Sequence, residues 1–510
     1  MEFWVFLACT VPTLIAISVL LRGYMQSRRI PRSSPLPPPP GPVGIPLVGN
    51  LLYVIGPLRH NPHRGLAFLA ETYGPVLSLR LGLTRTLVVV SSAAAAHEAL
   101  AKNDAALAAR LVPDNVCALS YSATSMVFLP SSDHLWRQLR VVIGAGFSSA
   151  RGLDAVRPIL ERRAADLAGY LRARSGAPVN VREAVNATVL NVVSNVLFSE
   201  DVVELNEKGS QMFKGLIVPV LEEWSKPSVC DAFPFLAPLE HLLGSRRRIS
   251  THLAKLYKFF DQGVIERRLR AAASGEKKHG DLLDVLLSRY QMSKLTRQQI
   301  TTFLTDMFIA ASDTSTNTVQ WAMAQLLRHP EKMKMVTAEL ATQLGTSDFV
   351  MESDLNKLPY LHAVVKETLR LHPAVPIIPR EVVADDVSLG GFDMPKGTGV
   401  VVNLWAIGRD KEVWPHPEEF IPERFLAGQG MMHSSLIGKD FVYRPFGAGR
   451  RVCPGMEYTG RSVPLLLASI LHKMEWELPG GMAPEDMELN DRYGTVLNLA
   501  TPLHAVPVPV

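Results

Sequence analysis

The chain has 510 residues, 47% of them hydrophobic and 20% charged, with 37 Pro and 35 Gly, a composition that excludes a disordered polymer and supports sizeable cores. Its formal net charge of +5 includes no long run of Lys or Arg, so nucleic-acid binding is not indicated, although a local basic face for an acidic protein partner stays open. Cys9, Cys117, Cys230 and Cys453 lie far apart with no CxxC pair, which argues against a zinc ribbon or a disulfide framework and places the bulk of the chain in the cytosol.

From Phe3 to Leu21 no residue is charged. As a helix that stretch spans about 28 Å, enough to cross a hydrocarbon core once. Arg22, Arg28, Arg29 and Arg32 follow it, so residues 1–21 are predicted to be a membrane anchor with the carboxyl-terminal side in the cytosol. A cleaved signal peptide is the rival, but the charges come after the apolar stretch and not before it. Residues 22–50 read as a basic and proline-rich hinge. Within it, PPPPGPVGIPLVGN (Pro37 to Asn50) excludes both helix and central strand, because proline fixes φ and lacks a donor. The remaining residues, 51–510, show no repeat and no second domain boundary.

Alternation from Pro75 to Ser91 predicts a hairpin turning at Gly82 to Arg85. In HLWRQLR, Trp136 and Arg140 stand one helical turn apart. From about residue 150 to 375 helical patterns dominate, with long segments ending near His329 and His372. One of them contains MFIAASDTST, in which Asp313 and Thr314 follow a short apolar run; another contains KETLRLHP, whose Glu367 and Arg370 share one helix face. An ExxR pair alone is expected about once by chance in a chain of this size. After Pro373, β-prone runs such as GGFDMPKGTGVVVNLWAI return, PERF supplies Arg424, and PFGAGRRVCPG (Pro445 to Gly455) places Cys453 in a glycine-rich loop. Gly449 and Gly455 are expected to permit its tight path. A last helix is predicted from about Pro454 to Trp476, with a kink at Pro464.

Phe446, Gly449, Arg451, Cys453 and Gly455 match FxxGxRxCxG, and by this motif the chain resembles the cytochromes P450. The Trp136/Arg140 pair, the Asp313/Thr314 pair, ExxR and PERF resemble further motifs of that family, in its order. The anchor, the hinge, NLWAIGRD, PERF and FGAGRRVCPG together look like the plant microsomal branch, and within it the subgroup oxidising monoterpenoids and diterpenoids. The resemblance implies a mainly α fold with small β-sheets, preceded by one transmembrane helix. It implies haem b with Cys453 as axial iron ligand; soft thiolate sulfur suits haem iron and favours O–O cleavage. By the same resemblance, Trp136, Arg140, Arg380 and Arg451 hold the haem propionates, with Arg110 as a further candidate, and Phe446 packs beside the ligand. Asp313 and Thr314 correspond to the family's catalytic acid and alcohol. Glu367, Arg370 and Arg424 correspond to a buried structural charge network. Candidates for the substrate pocket are the stretch Asp114 to Phe128 with Ala310, Ala311, Val375, Ile377, Val496 and Leu497. Ala311 departs from the common AGxDT pattern, and its extra methyl is expected to narrow the oxygen groove.

The implied activity is insertion of one oxygen atom from O2 into a C–H bond of a small hydrophobic molecule, a terpenoid of plant secondary metabolism. No dinucleotide fingerprint occurs in the chain, so electrons are expected from NADPH through a separate NADPH-cytochrome P450 reductase. Cytochrome b5 is an optional second donor, and Arg137 belongs to a basic docking face. The implied setting is the endoplasmic reticulum membrane, with a single pass and a cytosolic catalytic domain. Phenolic or fatty-acid substrates, a haem-thiolate isomerase or dehydratase, and a non-catalytic haem protein are the alternatives.

Overall fold

The valine-rich run after Pro75 folds as two antiparallel strands, β1 (Val76–Leu81) and β2 (Arg85–Val90), in register from Val76 opposite Val90 to Leu81 opposite Arg85. Gly82 opens the turn with φ 65°, a conformation that costs glycine nothing. In this computed structural model the described residues are 36–510, apart from 57, 83–84, 206, 227, 234–235, 238–239, 241–243, 276–277 and 427–440. The anchor expected at Phe3 to Leu21 lies outside them, and no helix of the described residues is long and apolar enough to cross a membrane.

Prolines cannot donate, but their carbonyls accept, and the hinge uses them that way. Ser78 donates through Oγ to the Pro39 carbonyl at 2.9 Å and through its backbone N–H to Pro40 at 2.7 Å, while Asp393 N–H donates to Pro37 at 3.0 Å. Asn50 then ties the segment off, donating to the Pro42 carbonyl at 3.1 Å and accepting from Arg80 N–H at 2.8 Å. Residues 37–50 are thus fixed along β1.

The helical middle consists chiefly of α1 (His134–Phe147), α2 (Ala150–Arg172), α3 (Val181–Phe198), α4 (Ser245–Lys258), the central helix α5 (Arg297–Arg328) and α6 (Pro359–Leu371). A capping box starts α5: Thr296 Oγ1 accepts from Gln299 N–H at 3.2 Å, and the Gln299 side chain accepts from Thr296 N–H at 2.8 Å. Pro330 follows its end. α3 is buried nearly all round and packs against α5 deep in the core, with its buried Asn186, Thr188, Asn191 and Ser194 hydrogen-bonded. Beyond α6 come β3 (Ile377–Glu381) and β4 (Gly399–Asn403), then α7 (Met456–Leu471), β5 (Met474–Glu477) and β6 (His504–Pro509). β4 inserts between β2, to which it is parallel, and β3, to which it is antiparallel, giving the order β1-β2-β4-β3. All five residues of β4 are buried, as expected of a strand covered on both faces.

The last helix is shorter than the reading that ran it to Trp476. α7 passes through Pro464 and stops at Leu471. Lys473, at φ 56°, turns the chain into β5, where Trp476 pairs with Pro507 of β6. Pairing with a strand thirty residues downstream overrides the helical pattern there, and local sequence carries no trace of that partner.

Beneath α6 lies the predicted charge network. Both Glu367 and Arg370 side chains are fully buried; Arg370 donates to the two Glu367 oxygens at 2.7 Å each and to the carbonyls of Gly408 and Pro417. Arg424 joins Glu367 at 3.3 Å, and Ile421 N–H adds a bond at 2.8 Å. One carboxylate is therefore shared by two buried guanidiniums, and the Arg370 donors anchor the chain at 408–421 below the helices. Replacing it leaves both cations unpaired: Glu367→Ala is expected to cost on the order of 3–5 kcal/mol, read as a lowered urea midpoint with an unchanged slope.

Candidate active site: a cysteine loop ringed by guanidinium groups

The loop before α7 folds back on itself through three backbone bonds. Gly447 N–H donates to Arg444 at 2.9 Å, Val452 N–H to Gly449 at 3.0 Å and Cys453 N–H to Phe446 at 3.1 Å, which returns Cys453 beside half-buried Phe446. Gly449 is required: at φ 71°, a Cβ there would lie 2.1 Å from Asp104 Oδ1 and 2.5 Å from the Leu100 carbonyl. Gly455 is not required for that reason, since its φ is −92°. Its contribution is an N–H directed at the Cys453 sulfur. Burial pushes the Cys453 thiol up, while that N–H and the guanidiniums of Arg140 and Arg110 favour the thiolate.

Four arginines cluster at this loop: Arg110 and Arg140 act on the sulfur, and Arg380 and Arg451 lie within reach of Arg110. Arg110 is half-buried, and its Nε is shut off from solvent with no hydrogen-bond partner among the described residues. Arg380 (2% exposed, on β3) donates only to the carbonyl of its own neighbour Pro379 in the bonds resolved for it. Burial and the nearby charges of Arg110 and Arg451 push Arg380 down to about 9, and burial with Arg110 and Arg140 pushes Arg451 down to about 10. The acid that does act on Arg380, Asp104, is itself paired with Arg450 at 3.3 Å. Trp136 of α1 lies between two of these cations, its ring 5.7 Å from the Arg140 guanidinium carbon and 5.0 Å from that of Arg451. Arg140 donates to the Val452 carbonyl at 3.1 Å. Arg451 is more heavily engaged than its motif suggests, donating to the carbonyls of Ala108 at 2.7 Å, Met126 at 3.2 Å and Leu129.

α5 supplies the opposite wall. Between Ile300 and Leu327 every residue of this helix is buried except Ala310, Ala311 and Thr314, so one narrow face at spacing i, i+1, i+4 opens on a cleft. Thr314 Oγ1 donates to the Ala310 carbonyl at 2.9 Å, leaving its lone pairs toward the cleft. The structure does not bring Asp313 to that face. Its carboxylate pairs with Arg182 of α3 at 2.8 Å, and Arg182 also contacts Asn317 and Gln320. Of the other pocket candidates, Val375 is exposed and Ile377 half-buried, whereas Val496 and Leu497 are buried at 5% and 0%, with Leu497 N–H bonded to the Ala374 carbonyl at 3.0 Å. Arg137 is exposed on α1.

Sequence reasoning missed Asp306. This carboxyl is wholly buried on α5, one turn before Ala310, and accepts from Tyr121 OH, from Ser125 Oγ at 2.8 Å and from Met126 N–H at 2.8 Å. Burial pushes it up to about 7 against these bonds. Its nearest sequence signal is a charged residue within an apolar helical run.

Haem b brings an iron that accepts a thiolate and two propionate carboxylates. The residues present fit it. A cysteine with an N–H on its sulfur supplies the ligand, and buried guanidiniums that repel one another, one with an orphaned Nε, require anions that the described residues do not provide.

A family model described as Cytochrome P450 matches residues 38–503. Oryzalexin E synthase of Oryza sativa subsp. japonica is 44% identical over 512 residues, covering 99% of this chain and 98% of that protein. Ent-cassadiene C11-alpha-hydroxylase 1 of the same organism is 41% identical, with 97% of both chains covered. Geraniol 8-hydroxylase of Catharanthus roseus is 40% identical over 92% of this chain and 93% of its own.

Two outcomes follow from the charges. Arg380→Leu should release haem to apomyoglobin about 10- to 100-fold faster than the unaltered protein, the worth of one hydrogen bond to a buried charge. For Asp306, the unfolded carboxyl ionises near pH 4 while the folded one holds its proton to about 7, so stability from this group falls as pH rises between those values and is level above them. Urea unfolding from pH 4.5 to 7.5, spanned in roughly half-unit steps, should show that slope, and Asp306→Asn should flatten it by an amount on the order of a few kcal/mol.

Proposed function

This chain belongs to the cytochrome P450 family, and from that premise we propose that it hydroxylates a terpenoid, a diterpene or monoterpene, at the endoplasmic reticulum membrane. The chain is a haem-thiolate monooxygenase using O2 and NADPH-derived electrons delivered by a reductase. Haem, when bound, supplies the redox chemistry; the protein supplies the ligand, the anion sites, the walls and the protons.

In this reading Cys453 holds the iron and the Gly455 N–H stabilises the thiolate charge. Arg110, Arg140 and Arg380 take the propionates, with Trp136 ordering the guanidiniums, while Arg451 offers only the N–H groups that the loop carbonyls leave unused. Phe446 shields the sulfur from water. Thr314 accepts and passes a proton at Oγ1. Asp313 stands behind it on the Arg182 side, where both side chains keep some solvent access, 13% and 15%, and so exchanges protons with bulk water. Ala310, Ala311, Val375 and Ile377 face the substrate, with Ala311 narrowing the groove by one methyl. Val496 and Leu497 shape it from behind. The anchor at residues 1–21, the basic hinge and Arg137 serve the bilayer and the reductase, with cytochrome b5 as an optional second donor.

The observation that carries the substrate class is the open face of α5: two alanines and one hydroxyl, with no charge, suit a hydrocarbon that brings few polar groups. The named activities of the relatives, an oryzalexin E synthase, an ent-cassadiene C11-alpha-hydroxylase and a geraniol 8-hydroxylase, support the same class.

The test is NADPH-dependent turnover of microsomal protein with a plant reductase, on diterpene and monoterpene olefins and alcohols alongside phenolics and fatty acids. A hydroxylated terpenoid that disappears in Cys453→Ala is the expected result; product from phenolics or fatty acids alone would overturn the substrate class. Thr314→Ala should lower product formed per NADPH consumed by at least about tenfold while NADPH oxidation continues.

A further inference from the structure

Thr302, Asp306, Ala310 and Thr314 stand four apart and form one stripe along α5. The last two face the cleft. The first two face the segment 121–129, and every polar group of that contact is matched. Thr302 Oγ1 bonds Thr124 Oγ1 at 2.9 Å and Tyr257 OH at 2.8 Å. The Asp306 oxygens collect Tyr121 OH, Ser125 Oγ, Met126 N–H and Val127 N–H. Ser125 Oγ is shared further, accepting from Val127 N–H at 3.1 Å. Among the described residues no Lys or Arg joins the cluster; the titratable groups facing Asp306 are Tyr121 and Tyr257, both kept protonated by burial.

The segment so held is under backbone strain where it enters. Leu119 and Ser120, neither of them glycine, sit at φ 51° and 57°, and the bend they make drives Tyr121 inward to full burial. Tyr121 then packs against Trp224 at 5.0 Å and Phe128 at 6.1 Å, an aromatic wall continuous with half-buried Val127. The far side of the same segment is gripped by Arg451, through the Met126 and Leu129 carbonyls. The Met126 peptide thus gives its N–H to an acid on the central helix and its carbonyl to a base two residues from the cysteine.

We propose that Asp306 is a positioning residue that determines substrate specificity: it locks residues 121–127 onto the central helix as the wall of the substrate chamber, one turn from the oxygen-side face. It touches no substrate, because its acceptor sites are filled by the loop, and so an apolar ligand meets a closed wall rather than a carboxylate. The proposal rests on the reading of the cleft as a monooxygenase chamber, but not on the terpenoid assignment.

The experiment uses haem-loaded protein, with the reduced carbon-monoxide spectrum as the control for intact thiolate ligation. Asp306→Asn cannot accept from all of its donors at once. Its Met126 and Val127 amides should exchange hydrogen at least about tenfold faster, with exchange in the second half of α5 unchanged. In the same samples, spectral titration with imidazole and with 4-phenylimidazole should shift the ratio of their dissociation constants by at least about fivefold, since only the larger probe reaches the wall. Regioisomer ratios with any turned-over substrate should change as well. If Asp306→Asn does not retain haem, Ser125→Ala and Tyr121→Phe each remove one bond and carry the same readouts. Unchanged amide exchange would show that the carboxyl does not hold the loop, and faster exchange with unchanged azole and product ratios would show that the loop is not a chamber wall; either overturns the proposal. Failure of every terpenoid with the azole shift intact would remove the substrate assignment alone.

Discussion

Four guanidinium groups clustered at one cysteine loop, none in an ion pair with a carboxylate among the described residues, are the constraint from which the rest of the site follows. Burial first, and the neighbouring guanidiniums second, make Arg380 and Arg451 hold their protons more weakly than an arginine ordinarily does. A fold that keeps such a ring is complete only with an anionic group at its centre. A thiolate would answer part of that charge, and the propionates of a bound haem would answer the remainder. Trp136 between two guanidiniums, and the loop carbonyls on Arg451, keep the ring in place.

The frame that holds this ring is itself electrostatic. Glu367 is shared between Arg370 and Arg424, and the network ties the chain at 408–421 to α6. On the other side, proline carbonyls that cannot join a ladder as donors accept from Ser78 and Asp393 instead, so the lead-in from the amino terminus reaches the domain at a fixed place along β1. Both devices act on backbone position and neither touches the cleft.

α5 divides its circumference among different tasks. Apolar residues such as Phe303, Phe308 and Trp321 belong to the core; Asp313 turns to Arg182; Thr302 and Asp306 clasp a loop; Ala310, Ala311 and Thr314 are left open. Asp313 and Thr314 are neighbours in sequence, yet the first is drawn to Arg182 of α3 while the second opens on the cleft.

Much of this was legible without coordinates. The hairpin at 75–91, helices ending near His329 and His372, and the face shared by Glu367 and Arg370 all rest on periodicity, capping or residue type within a short window; the expectation at Cys453 rests on the motif resemblance. These are properties that a local stretch carries by itself. The sequence could not say that Trp476 leaves the helix to pair with Pro507, that Arg451 spends its donors on carbonyls some 320 to 340 positions earlier in the chain, or that Asp306 clasps a loop about 180 positions away. Each of these depends on which distant backbone groups arrive next to a side chain. That is decided by packing, because a buried donor or acceptor takes whichever partner the tertiary fold brings within reach.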